Sequence, residues 1–187
     1  MNNPLSELTS GDDERAEKAI PAIVNLGEAA IPALMELTRS KDPDIRWWAV
    51  RALAASPHVR TRDLLPFLSD PAPEVRSAAA LAFSHHPDVD AVPALIQTLG
   101  DSDQLTAGLA ANALGQIGKP AVPGLLEAGE NAPLPSLILI VRALSEIRDH
   151  RAISFLMKCF ETDSAVLHYW VQQALERLGL DMVYIKP

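Results

Sequence analysis

The chain has 187 residues, 48% of them apolar, and a formal net charge of −8. That is enough apolar material for a core, and the acidic balance argues against a general affinity for nucleic acid or anionic membrane, which rests on clustered Lys and Arg. The single cysteine, Cys159, excludes an internal disulfide; no basic stretch leads into an apolar run at the N-terminus and nowhere do ~18 apolar residues follow one another, so a cytoplasmic protein without a membrane span is expected.

In chain order, residues 1–27 place Leu5 and Leu8 in a first element and interrupt it and its successor with Pro4 and Pro21, which predicts a shortened, kinked pair of helices. From residue 28 the pattern becomes regular. Ile31, Leu34, Met35 and Thr38 fall at i, i+3, i+4 and i+7, one face of a helix, and the stretch KDPDIRWWAVRALAASPH at 41–58 supplies a second helix. Residues 58–87 repeat the scheme, with Thr61, Leu64, Leu65 and Leu68 followed by DPAPEVRSAAALAFSHHP. The next three pairs occupy approximately 88–118, 119–148 and 149–179, with first-helix leucines at Leu95, Leu125 and Leu156. Pro32, Pro93 and Pro123 share a position near the start of the first helix, where a missing N–H costs nothing. One alanine column runs through Ala22, Ala52, Ala82, Ala113, Ala143 and Ala174, and a stop column through Gly27, Pro57, Pro87, Gly118 and Gly179, with Arg148 the exception. The tail at 180–187 carries Met182, Val183, Tyr184 and Ile185, which suits folding back over the last hairpin, with a disordered or partner-bound tail as the alternative.

Each pair of about 30 residues is too small to bury its own apolar face, so neighbours must stack. The expectation is one domain over 1–187: an all-α solenoid of about six helical hairpins. Acidic residues before the second helices, among them Asp12, Asp42, Asp70, Asp101, Asp103 and Asp163, are expected to cap free amides and complement the helix dipole. The segments AIPALMEL, DPAPEVRSAAALAF and AANALGQIGKPAVPGLLEAG resemble the HEAT repeat, in the short form of phycobilisome-lyase-like HEAT proteins. That resemblance implies a right-handed α-α superhelix of HEAT/armadillo type. It also implies an Asp–Arg ladder between repeats, matched at Asp70 and Arg76 and partly at Asp42 or Asp44 with Arg46, but lost where Ala107, Leu137 and His168 replace the arginine.

In the second helices, positions equivalent to Ile45, Trp48, Ala49, Ala52 and Leu53 point inward, and Trp170 joins Trp48 as a core residue. The rows left outward begin at Trp47, Val50 and Arg51; the resemblance puts them on a concave wall. Their members Trp47, Val50, Arg51, Leu81, Asn112, Ile138, Arg142, Tyr169 and Gln173 are the expected partner-binding residues: apolar burial against Trp47, Leu81, Ile138 and Tyr169, with Arg51 and Arg142 pairing acidic groups. No catalytic, cofactor-binding or metal-ligating residues are expected, since His58, His85, His86, His150 and His168 form no spaced ligand pair and no Walker, GxSxG or GxGxxG motif occurs. The expected function is thus a non-catalytic module that binds a protein segment, as a monomer or dimer, without nucleic acid or membrane. Two alternatives come from the resemblance: a bilin (tetrapyrrole) lyase-like subunit, with Arg posts holding a pigment's propionates, and a HEAT-like nucleic-acid-binding protein.

Overall fold

The computed structural model describes residues 3–180, and among them there is no β-strand. The contacts divide the chain into two compact units between His86 and Pro87. The first contains α1 (Pro4–Leu8), α2 (Asp13–Val24), α3 (Ile31–Leu37), α4 (Pro43–Ala55), a 3-10 segment at Thr61–Ser69, and α5 (Pro73–His85). The second contains α6 (Val92–Thr98), α7 (Gln104–Ile117), α8 (Val122–Gly129), α9 (Leu134–Ile147), α10 (Ile153–Cys159) and α11 (Ala165–Arg177). The architecture is an all-α solenoid of HEAT/armadillo type, built from stacked helical hairpins. No helix of the described residues is long and apolar enough to cross a membrane.

The columns legible in the sequence become the core. Leu34, Leu64, Leu95, Leu125 and Leu156 of the first elements are fully buried, as are Leu53, Phe83, Leu114, Leu144 and Leu175 of the second. Ala52, Ala82, Ala113, Ala143 and Ala174 are buried beside them, whereas Ala22 is exposed: the first hairpin has no preceding described hairpin to pack on. In the first unit α4 touches α2, α3 and α5; in the second α9 touches α7, α8 and α11. A second helix is therefore covered on three sides.

The helix ends follow local chemistry, with three departures from expectation. Pro32, Pro93 and Pro123 occupy the first turns of α3, α6 and α8. The side chains of Asp12, Asp42 and Asp103 cap their helices, accepting from the amides of Arg15, Asp44 and Thr106. For α11, however, the cap is the Ser164 hydroxyl and not Asp163, because Ser164 holds the extended residue from which the helix starts. Leu64 and Leu68 lie in a 3-10 segment, since Pro66 inside it can donate no hydrogen bond. Pro21, conversely, is contained in an unbroken α2, so the first pair is shortened only in its five-residue α1. The expected fold-back of 180–187 concerns a tail of which residues 181–187 lie outside the described residues.

Where the stop column holds no proline, its backbone is left-handed. Gly27, Gly118 and Gly179 have φ of 65°, 79° and 81°, and Arg148 in the same place is held at φ 55°. A Cβ in that region crowds its own backbone, which glycine avoids. Arg148→Gly is expected to raise stability by about 0.5–1 kcal/mol. Urea denaturation checks this, and an unchanged or lower midpoint would show that the left-handed residue costs nothing here.

The ladder survives in the first unit. Arg46 donates from Nε and Nη2 to both carboxylate oxygens of Asp70, at 2.9 and 2.8 Å, and from Nη1 to the carbonyls of Ser40 and Lys41. Arg76 repeats the carbonyl contacts one hairpin later, donating to Asp70 O and Pro71 O. In the second unit Ala107, Leu137 and His168 stand at the arginine position, and the His168 ring nitrogen lies 3.1 Å from Phe160 O.

Candidate functional site

The surface rows are defined by what three-sided burial leaves over. On α4, Trp48, Ala49, Val50, Ala52 and Leu53 are buried, leaving Trp47 and Arg51, one turn apart, on the open face. Val50 is 0% exposed, so it is not a binding residue. Its row continues inward through Ala80, Ala111 and Val141, all buried. An outward Val50 row assumes a two-sided helix, whereas the neighbouring second helices close over it.

In the first unit the Trp47 and Trp48 rings meet edge to face at 4.5 Å, and the Arg51 guanidinium lies 4.8 Å from the Trp47 ring centre. Arg51 also pairs with Glu17 of α2 at 2.8 Å. Glu17 was missed in the sequence although it stands one repeat before Trp47; extending that row backward finds it. Leu81 on α5 is 44% exposed. This face is an aromatic pair with an internally neutralised cation and a separate apolar side chain.

In the second unit Asn112 is exposed on α7, Ile138 and Arg142 are half-buried on α9, and Tyr169 on α11 is 57% exposed. The Arg142 guanidinium lies 5.2 Å from the Trp170 ring centre, and Tyr169 meets Trp170 edge to face at 5.3 Å. Trp170 is therefore not a core residue; it is half-buried beneath Arg142, as Leu109 and Leu139 are half-buried at the same position of α7 and α9. Gln173 is tied to Glu176 by a 3.1 Å hydrogen bond. Among the described residues Arg142 has no carboxylate partner, in contrast to Arg51. The second unit thus offers an uncompensated cation over an indole, flanked by an exposed phenol and an aliphatic side chain.

The one thiol, Cys159, is not poised as a nucleophile. Burial pushes the Cys159 thiol up to about 11, against a small opposing pull from Lys158, so it is protonated at neutral pH. The hydrogen bond from the Arg151 side chain, then that from its amide, hold Asp149 well below the usual carboxylate range, a structural role at the turn before α10. His86 is a helix-end residue whose ring Nε2 sits 2.7 Å from Ala54 O. Among the described residues no three His, Cys, Asp or Glu side chains are grouped to hold a metal ion.

Three-sided hairpin packing, a left-handed stop column and an interrepeat Arg–Asp pair define a class of short helical repeats. The chain belongs to the HEAT-repeat family, of the phycobilisome-lyase-like type: the HEAT repeats match residues 2–65 and 61–135. It is 30% identical over 151 residues to an uncharacterized phycocyanin operon protein Z of Pseudanabaena tenuis strain PCC 7409, covering 75% of each chain. It is 36% identical over 77 residues to the bilin biosynthesis protein RpcF of Synechococcus sp. strain WH8020, which is 41% of this chain and 37% of that one. It is 36% identical over 78 residues to the phycocyanobilin lyase subunit beta of Nostoc sp. strain PCC 7120, 42% of this chain and 39% of that one. The chain thus spans under two-fifths of the length of these last two relatives. These kinships overturn the expectation of a non-catalytic protein-binding module and of a chain that is no enzyme: relatives named as a bilin biosynthesis protein and a phycocyanobilin lyase subunit favour the lyase alternative.

Proposed function

We propose that the chain is a subunit of a bilin lyase, working in the cytoplasm with a second subunit to attach an open-chain tetrapyrrole to an acceptor protein or detach it. The observation that carries the reading is the kinship across three quarters of the chain with a phycocyanin operon protein, within a group that includes a phycocyanobilin lyase subunit. A linear tetrapyrrole presents a flat conjugated face and two propionates, and the α9–α11 face is suited to both. Arg142 pairs a propionate; Trp170, Tyr169 and Ile138 lie against the pyrrole face; Asn112 and Gln173 hydrogen-bond its polar edge. Trp47, Arg51 and Leu81 form a weaker apolar contact, since Glu17 already neutralises Arg51.

Absorbance titration with a free bilin, followed by transfer to an acceptor biliprotein in the presence of a candidate partner subunit, tests the reading. The expected result is binding and a covalent, gel-stable pigment band. Arg142→Ala is expected to weaken binding about tenfold, the worth of one charge-assisted contact. Absence of both binding and transfer would remove the reading; unchanged binding by the Arg142 variant would move the pigment off this face.

A further inference from the structure

Beyond the pigment reading, and independent of it, we propose that the cavity between the α8–α9 turn and α10 is a guanidinium site, filled by an arginine side chain of a second polypeptide. The cavity measures about 320 Å³, and its lining includes Leu137, Phe155, Cys159 and Thr162. It sits where the interrepeat ladder has lost both of its members. Arg46 lies four residues past the cap of α4, and Leu137 lies four past Pro133, the cap of α9. Asp70 lies two residues before Ala72, the cap of α5, and Thr162 lies two before Ser164, the cap of α11. The pair that fills this space in the first unit is thus replaced by Leu137 and Thr162.

What the absent arginine would have bonded is still in place. Arg46 and Arg76 each use Nη1 to hold the carbonyls six and five residues earlier. Six and five residues before Leu137 are Asn131 and Ala132, whose carbonyls accept no hydrogen bond among the described residues. Gly129 occupies the column of Thr38, Leu68 and Leu99; a Cβ there would collide with the far end of the Phe155 ring, so Phe155 packs against bare backbone and forms one wall of the cavity.

The chemistry of the cavity selects a planar cation on an apolar stem. Phe155 and Leu137 suit three methylenes and a guanidinium face, and Ala132, which lines the cavity, offers a carbonyl acceptor, with that of exposed Asn131 beside it. At the mouth Glu130 and Glu161 outnumber Lys158, which pairs with Glu130 at 3.3 Å, while Glu161 makes no ion pair among the described residues. That net negative rim repels the α-carboxylate of a free amino acid, whereas an arginine within a polypeptide carries none. The chain's own charge of −8 favours a cationic partner segment in the same way.

The test follows amide NMR signals of the full chain during titration with the peptide Ac-Ala-Arg-Ala-NH2, its citrulline counterpart, and free arginine. The arginine peptide is expected to shift Asn131, Ala132, Phe155 and Thr162, and the uncharged citrulline peptide to leave them in place. Thr162→Asp, which restores the counterpart of Asp70 at an exposed position, is expected to tighten binding about tenfold. Leu137→Arg, which supplies the guanidinium from within, is expected to abolish the response. No localised shift, an equal response to citrulline, or no gain from Thr162→Asp would overturn the site; binding of free arginine as tight as that of the peptide would overturn the polypeptide source. None of these readouts involves a bilin.

Discussion

Val50→Asp is expected to unfold the protein at temperatures where the parent is native, with a loss of at least about 4 kcal/mol, because a carboxylate placed there has neither water nor a partner. Val50 is 0% exposed and α4 is closed in by α2, α3 and α5, so the new charge has no route to solvent. Leu81→Asp supplies the contrast. Leu81 is 44% exposed, and the same change of chemistry there is expected to move stability by no more than about 0.5 kcal/mol. Thermal melts followed by circular dichroism decide it. Equal melting of the two variants would mean that Val50 faces water and that the three-sided burial of the second helices is wrong.

The contrast between these two residues marks how far the sequence reaches. Leu34, Ala52, Leu53 and their counterparts from the second repeat onward are legible because each packs in its repeat, so an apolar side chain recurs at every one of those periods. Val50 was not, because its row of Val, Ala, Ala and Val reads equally as a small outward surface or as an intimate helix-to-helix contact; only the number of neighbours separates the two. Gly and Pro were read correctly as stops, but Pro66 was not recognised as tightening its element to a 3-10 helix. Trp170 departs in the opposite sense to Val50: it shares a column with buried Trp48, but that column opens in the second unit, where Leu109, Leu139 and Trp170 are all half-buried. The function was less legible still. No nucleophile, base or ligand set marks the chain, and an Arg over an indole suits many ligands. Kinship, not a local motif, separates a pigment lyase from a peptide binder.

Asp70→Asn is expected to lower stability by about 3 kcal/mol at neutral pH, since it leaves the buried Arg46 guanidinium without its countercharge and replaces one of its two carboxylate acceptors with an amide donor. The pair is sequestered, with side-chain exposures of 12% for Arg46 and 8% for Asp70. Burial alone pushes the Asp70 carboxyl up, but the Arg46 hydrogen bonds, the Ala72 amide and the charges of Arg46 and Arg76 together outweigh it and hold it below the ordinary value. An Asp that is more acidic folded than unfolded stabilises the native state above its unfolded value of about 4, and that contribution is lost as the pH falls through its folded value. The gap between parent and Asp70→Asn should therefore be full at pH 7 and close progressively in the acid limb below about pH 4. Single removal of Arg46 is expected to be equally damaging, whereas the double replacement Arg46→Leu with Asp70→Leu should recover most of the loss, because no charge then remains buried without its partner. Urea midpoints across the pH range check both statements. A gap that stays constant into the acid limb would show that Asp70 acts through shape and hydrogen bonding alone, with its ionisation contributing nothing to the interrepeat contact.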